Sequence, residues 1–175
     1  MQQADHTMPQ VMKELHKLEF DDVDGDGIDF QPYSEFLSEE ETRGWIRAWT
    51  GNSTLDGREY RIFGQDGTGG YAAFWCVRHD ATLLEQPIVF FGSEGELGVL
   101  ASNFADYLWL LAGGLGPYEA IAYPDDANGK ANSKFSTFAT MYAGASKKPP
   151  SEILSKAHAE FPKFEQDVRS LCGYS

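Results

Sequence analysis

The sequence predicts an α+β fold, with a mainly antiparallel sheet of about four to six strands and helices packed against it. Four short apolar runs lie between residues 60 and 101 and are separated by glycine-rich turns, a pattern typical of an antiparallel meander. Capped amphipathic segments precede and follow these runs, which predicts helices on either side of them in the chain. A chain of 175 residues suits a single domain, and we expect it to span residues 1–175.

Two helices and an acidic loop are predicted before the first strand. Apolar residues at i, i+4 and i+7 predict a short amphipathic helix over residues 9–19, and an acidic loop follows at 21–27. Ser38 and Glu41 have the spacing of a capping box, so a second helix should begin after Ser38. Gly51 is a natural end for this helix.

The strands and the helix after them are predicted from apolar runs and caps. The expected strands are 60–63, 71–77, 87–91 and 97–101. Their central runs are apolar on consecutive positions, which indicates that both faces of the sheet are covered. Asn103 is a good N-cap with Asp106 at the third helical position, and the helix that follows is apolar all round. We therefore expect this helix to be largely buried.

The C-terminal part has weaker patterns. Residues 122–134 are predicted to form a loop, followed by a short helix that contains Phe135, Phe138 and Tyr142. A linker at 147–150 precedes a helix that starts at Ser151. Pro162 should end or kink that helix before a final helical segment.

The charge of the chain excludes some kinds of partner. Acidic residues outnumber basic ones 27 to 14, which gives a net charge of −13, and the first 60 residues hold 14 of the acids. Direct binding to nucleic acid or to an anionic membrane is disfavoured, because both need clustered Lys and Arg. We find neither an apolar run of spanning length nor a secretory signal, and cysteine is found at only two positions. A cytoplasmic protein is the simplest expectation.

The acidic loop resembles the beginning of an EF-hand. Asp22, Asp24, Asp26 and Gly27 match its first positions, but the twelfth position is Tyr33, where a bidentate glutamate is needed. A solvated loop is therefore expected, and calcium binding is kept as a less favoured alternative.

Motifs for phosphate binding and for catalysis are incomplete. The glycines at 64–70 are not followed by the Lys and Ser or Thr of a P-loop. Phe91 stands where a nucleophile elbow at Ser93 needs glycine, and Cys76-x-x-His79 is half of a metal pair without the other half. The sequence therefore predicts no enzyme, no cofactor and no metal site.

The β section and the helix after it resemble the SUKH superfamily over roughly residues 55–115. The matching stretches are FGQDGTGGYAAFW at 63–75, PIVFFGSEGE at 87–96 and VLASNFADYL at 99–108. The acidic N-terminal segment and the C-terminal helices lie outside the match, as additions to it. The resemblance implies an α+β domain, and either a bacterial immunity protein that neutralises a toxin by forming a complex or a fungal-type regulatory scaffold. It implies no catalysis.

A cytosolic immunity protein is the expected function, with a regulatory scaffold as the alternative. The expected partner is a protein, and a basic toxin domain such as a nuclease is favoured because its phosphate-binding cleft must be positive. Trp45 and Trp49 are expected to pack in the core, with a binding stripe as the alternative. The residues expected to contact the partner are Asp21, Asp22, Asp24, Asp26 and Asp29 in the loop, Glu39, Glu40 and Glu41 at the helix start, and Asp66, Glu94 and Glu96 in the turns.

Overall fold

A five-stranded antiparallel sheet is the centre of the computed structural model, which describes residues 7–18, 20, 28, 30–122, 133–144 and 147–172. Its strands lie side by side in chain order, and each neighbouring pair is antiparallel. The predicted meander and the α+β class are therefore confirmed. The strands are β1 (Gln31–Pro32), β2 (Tyr60–Gln65), β3 (Tyr71–Trp75), β4 (Ile88–Phe91) and β5 (Leu97–Ala101).

Helices surround this sheet, and a short 3₁₀ turn at Leu83–Glu85 precedes β4. The helices are α1 (Gln10–Leu15), α2 (Glu39–Thr50), α3 (Phe104–Ala112), α4 (Pro117–Ala122), α5 (Ser133–Ala143), α6 (Pro150–Glu160) and α7 (Phe164–Leu171).

Both faces of the sheet are buried, as the apolar strands predict. On the first face, Phe74 and Phe90 belong to a core that includes residues of α1, α3 and α5. On the second face, Val89 and Phe91 belong to a separate core that includes residues of α2 and α7. All four residues of β4 are buried, because successive side chains of a strand point to opposite faces.

Helix α6 covers the β5 edge of the sheet and joins the two cores. It packs against β5 and α3. Ile153 lies in the first core and Ala157, one turn later, in the second. A helix along this edge shields the backbone groups that an open edge strand would expose. The helix begins at Pro150, one residue before the predicted start, and Pro162 separates it from α7 as expected.

The predicted caps and ends of α2 and α3 are confirmed. The Ser38 hydroxyl accepts a hydrogen bond from the Glu41 amide, and the Glu41 carboxylate accepts one from the Ser38 amide. Gly51 ends α2 in a left-handed conformation with φ 68°. Asn103 caps α3 by accepting from the Asp106 amide. These local signals require only a few neighbouring residues, which explains why the sequence predicts them well.

Other elements differ from the predictions. Helix α1 ends at Leu15 and is shorter than the predicted span of 9–19. Strand β1 and helix α4 were not predicted, because a two-residue strand that contains proline and a six-residue helix carry little local signal. The predicted acidic loop at 21–27 lies outside the described residues.

A buried carboxylate fastens the C-terminal part to α3. Asp106 is 2% exposed, and its two oxygens lie 2.9 Å from the Lys148 ammonium and 3.2 Å from that of Lys156. Lys148 precedes α6 and Lys156 lies on it. The contacts therefore hold α6 in the position where it covers the sheet edge.

Replacing this carboxylate should destabilise the fold. We expect Asp106→Asn to lower the free energy of unfolding by about 1–3 kcal/mol, because both lysines lose their anion but remain partly open to water. Urea unfolding measures the change. The control is Glu165→Gln, which breaks an exposed i,i+4 pair with Arg169 and should cost less than about 0.5 kcal/mol. Equal effects of the two substitutions would contradict this role for Asp106.

A half-buried histidine connects α1 to the segment after β1. The His16 ring lies beside Phe20 and Phe63, and its Nδ1 is 2.7 Å from the Tyr33 carbonyl oxygen. A carbonyl only accepts, so Nδ1 carries the proton and donates it. Nε2 is buried and has no hydrogen-bond partner among the residues that the structure describes. Burial therefore lowers the pKa of His16 below its ordinary value, despite the Tyr33 bond, which raises it.

Acidification should therefore weaken the fold through His16. The unfolded chain takes up a proton near the ordinary histidine pKa of about 6.5, whereas the folded chain does so only at lower pH. Neutral His16 therefore contributes fully to the free energy of unfolding above pH 7, and this contribution is lost as the pH falls below about 6.5. The test is the free energy of unfolding measured between pH 7.5 and 5 for the wild type and for His16→Gln. Between pH 7.5 and 5, the free energy of unfolding should decrease less for the variant than for the wild type. Identical pH profiles of the two proteins would contradict the prediction.

Candidate functional site

The candidate site is a line of half-buried aromatic side chains with carboxylates at its ends. It crosses the second face of the sheet from the end of β1 to the β4–β5 turn. We call it the aromatic–acidic strip and define it as Tyr33, Trp45, Trp49 and Tyr71 with Glu41 and Glu96.

Helix α2 supplies the two tryptophans in the middle of the strip. Trp45 and Trp49 are four residues apart, so they project from the same side of the helix. Their rings lie 4.9 Å and 5.1 Å from Phe91, both edge to face. Phe91 is fully buried, whereas both tryptophans keep part of their surface in solvent. The tryptophans therefore combine the core role expected from the sequence with the exposure that the binding alternative needs.

Two tyrosines form the end of the strip near β1. The Tyr71 ring lies 5.5 Å from Trp45 and 6.5 Å from Tyr33. The Tyr33 hydroxyl donates to Gln65 Oε1 at 2.8 Å, which fixes the orientation of its ring. Burial raises the pKa of Tyr33 to about 12, and Tyr71 and the negative charge of Glu41 add to this effect. The Glu41 carboxylate is thus close enough to act electrostatically on the ring.

The other end of the strip is the turn between β4 and β5. The Trp49 indole Nε1–H donates to the Gly92 carbonyl at 2.8 Å. The Glu96 side chain folds over Gly92, where an added Cβ would overlap Glu96 Oε1. The Glu94 amide donates to the same oxygen at 3.2 Å. The turn therefore places one carboxylate against Gly92, the residue to which Trp49 donates, and leaves Glu94 exposed.

The structure brings Glu41 and Glu96, two of the expected contact residues, to this strip. Glu39 and Glu40 are exposed beside Glu41 in the first turn of α2, and Glu39 lines a small cavity with Thr42 and Arg43 on another side of the helix. Glu94 and Glu96 lie in the β4–β5 turn, at the opposite end. The acids expected from the N-terminal loop lie outside the described residues, namely Asp21, Asp22, Asp24, Asp26 and Asp29.

Asp66 has a different place from the one expected. It is 1% exposed, and its carboxylate accepts from the Thr68 hydroxyl at 2.9 Å and 2.8 Å and from the Gly70 amide at 2.7 Å. These bonds hold the β2–β3 turn, so the carboxylate is not presented to a partner. The expectation of a surface contact at Asp66 is corrected, since its acceptors are used within the turn.

Tyr33 and Tyr71 carry no local sequence signal that marks them as members of a site. They are 38 positions apart in the sequence and meet only because β1 and β3 flank β2 at the same end of the sheet. Their aromatic character was visible in the sequence, but their proximity depends on strand order.

Other chemistry in the described part of the chain is limited. No group of three or more metal-ligating side chains is found there. Burial raises the pKa of the Cys76 thiol, which disfavours a reactive thiolate. A cavity of about 10 Å³ near Thr42, Asp56 and Tyr60 has room for roughly one water molecule. Among the described helices, none has the length and apolar character needed to cross a membrane.

Comparisons with protein-family models, with curated proteins and with solved structures found no match.

The contact between Trp49 and Gly92 should hold the β4–β5 turn. Trp49→Phe keeps a ring next to Phe91 but removes the indole donor, so it should cost about 1 kcal/mol of stability. The Gly95 amide, which donates to Gly92 O at 3.3 Å, should then exchange with solvent several-fold faster. Amide hydrogen exchange followed by NMR measures this. Unchanged exchange at Gly95 alongside unchanged stability would show that the bond does not organise the turn.

Proposed function

We propose that this chain is a protein-binding module, and that its partner is a basic toxin domain, such as a nuclease, which it neutralises by forming a complex. The observation that carries the proposal is the aromatic–acidic strip. Its rings combine partial exposure with fixed positions, and carboxylates lie at both of its ends. The SUKH resemblance of residues 55–115 supports the toxin as the class of partner.

Aromatic side chains of this kind are well suited to a protein interface. Tyr and Trp supply a large contact area, and they are enriched among the residues that dominate binding energy. In the strip, neighbouring rings and hydrogen bonds from Tyr33 and Trp49 already restrict the side chains. Little conformational entropy is then lost when a partner covers them.

The acidic residues favour a basic partner. A net charge of −13 attracts a positive domain over a distance and raises its association rate. Glu40 is exposed next to Glu41 at the start of α2 and Glu94 is exposed in the β4–β5 turn, so both can pair with basic side chains at the edge of an interface. A nuclease needs a positive cleft for phosphate, so binding to that cleft would exclude its substrate.

The partner can be found by affinity capture and then tested as a purified domain. The proposal expects a basic domain whose enzymatic activity falls to zero at about one equivalent of this chain. A captured partner that stays active in the complex would favour the regulatory scaffold instead. Capture that yields no basic partner would contradict the proposal.

Charge reversal at the start of α2, next to the strip, should slow association. We expect Glu40→Lys to reduce the association rate constant with the purified partner by about tenfold at low salt, and to weaken its salt dependence. Glu152→Lys is the matched control, because Glu152 is an exposed glutamate in the first turn of α6. Stopped-flow binding at several salt concentrations measures both. Equal rates for the two variants would place the contact away from α2.

A further inference from the structure

We propose that Tyr33, Trp45 and Tyr71, together with Glu41, form a binding site for a single cationic side chain, arginine or lysine, presented by a protein. This inference rests on the proposed function insofar as it names the chemistry by which the strip recognises its partner. The site occupies the β1 end of the strip.

The three rings come from three separate elements and are fixed against one another. Tyr71 begins β3, Trp45 lies on α2 and Tyr33 follows β1. Tyr71 makes the central contacts, at an interplanar angle of 71° to Trp45 and 67° to Tyr33. All three side chains are half-buried, so each has a packed part and a part open to a ligand. Such a corner of inclined rings is formed before any ligand arrives.

Aromatic rings attract cations through their quadrupole, and Arg and Lys are the protein side chains that exploit this. Rings alone would also accept a neutral apolar group. The charge next to them therefore decides which ligand is preferred.

Glu41 supplies that charge. Its side chain is exposed, and its Oε1 accepts from the Ser38 amide at 3.2 Å, which holds it at the helix start. It forms no ion pair with any residue in the described ranges, so its negative charge is not neutralised by a neighbour there. It lies one helical turn before Trp45, so the two side chains share one side of α2. Burial and Tyr71 raise the pKa of Tyr33, and the negative charge of Glu41 adds to this effect. A cation on the rings gains from both the aromatic surface and the carboxylate.

The alternative is that these three rings only stabilise the fold, since Trp45 also packs against Tyr60 and Phe91. The two accounts differ in what they expect of Glu41. A structural cluster gains nothing from this carboxylate beyond the helix cap, whereas a cation site depends on its charge. Glu41→Gln separates them, because glutamine keeps a side-chain acceptor for the Ser38 amide and removes the charge.

The test is an NMR titration of the full chain with the peptide acetyl-Gly-Arg-Gly-amide. The control peptide carries citrulline, which has nearly the shape of arginine without its charge. We expect saturable shifts of the Tyr33, Trp45 and Tyr71 ring resonances with the arginine peptide, and at least fivefold weaker binding of the citrulline peptide. Glu41→Gln should weaken arginine binding at least threefold, and Glu152→Gln should leave it unchanged. Tyr71→Leu should abolish the shifts.

Three results would overturn the inference: equal binding of both peptides, shifts confined to other parts of the protein, or arginine binding unaffected by Glu41→Gln. If Tyr71→Leu fails to fold, Glu41→Gln still decides, because its unfolding midpoint can be compared with that of Glu152→Gln. The peptide assay needs no toxin, so its outcome is separate from that of the proposed function. If the chain binds a toxin but not the arginine peptide, only the cation site is refuted. If the chain binds the peptide but no toxin, only the proposed function is refuted.

Discussion

The packing around Phe91 determines how the second face of the sheet is covered. This residue ends β4 and is fully buried, and its ring contacts Trp45 and Trp49 of α2 at 4.9 Å and 5.1 Å. It also contacts Phe164 of α7 at 5.9 Å and Tyr60 of β2 at 5.2 Å. Edge-to-face ring pairs are favourable beyond the burial of their area, and here one ring makes four of them. The position of α2, and with it the position of the strip, therefore depends on this one side chain.

The same packing explains how a core layer also offers a surface. Helix α2 lies across the sheet with Ile46 buried, while Trp45 and Trp49, which share one side of the helix, are only half-buried. A tryptophan ring is large enough to contact Phe91 with one part and solvent with another. Since the contact with Phe91 is fixed, the solvent-exposed part is fixed as well. Stability of the fold and preorganisation of the strip thus have one physical origin.

Much of the fold could be predicted from local sequence. The capping box at Ser38, the Asn103 cap and the apolar runs of β2 to β5 each depend on neighbouring residues, and the structure confirms them. The two-residue strand β1 and the helix α4 could not be predicted, because their conformations depend on partners that are distant in the chain. The location of Asp66 was missed for a related reason. An acidic residue in a glycine-rich turn looks exposed until its hydrogen bonds to Thr68 and Gly70 are known.

The candidate site could likewise be predicted only in part from local sequence. The glutamates of α2 and of the β4–β5 turn were expected at a contact surface, but the sequence does not show that aromatic side chains link the two groups. That link needs the order of the strands and the crossing of α2. This link also makes the proposed function more specific, because acidic surface residues alone are found in many proteins. Fixed and partly exposed rings between two groups of acids are a more specific feature.

The central claim is that the strip is accessible and attracts positive charge, and paramagnetic relaxation in the free protein tests both properties at once. A cationic nitroxide and a neutral nitroxide of the same size would be added in turn, and the broadening of aromatic and amide NMR signals compared. The account predicts that the neutral probe broadens the rings of the strip, and that the ratio of cationic to neutral broadening is highest at Tyr33, Trp45 and Tyr71. Rings that neither probe reaches, or a ratio that is uniform over the surface, would contradict it.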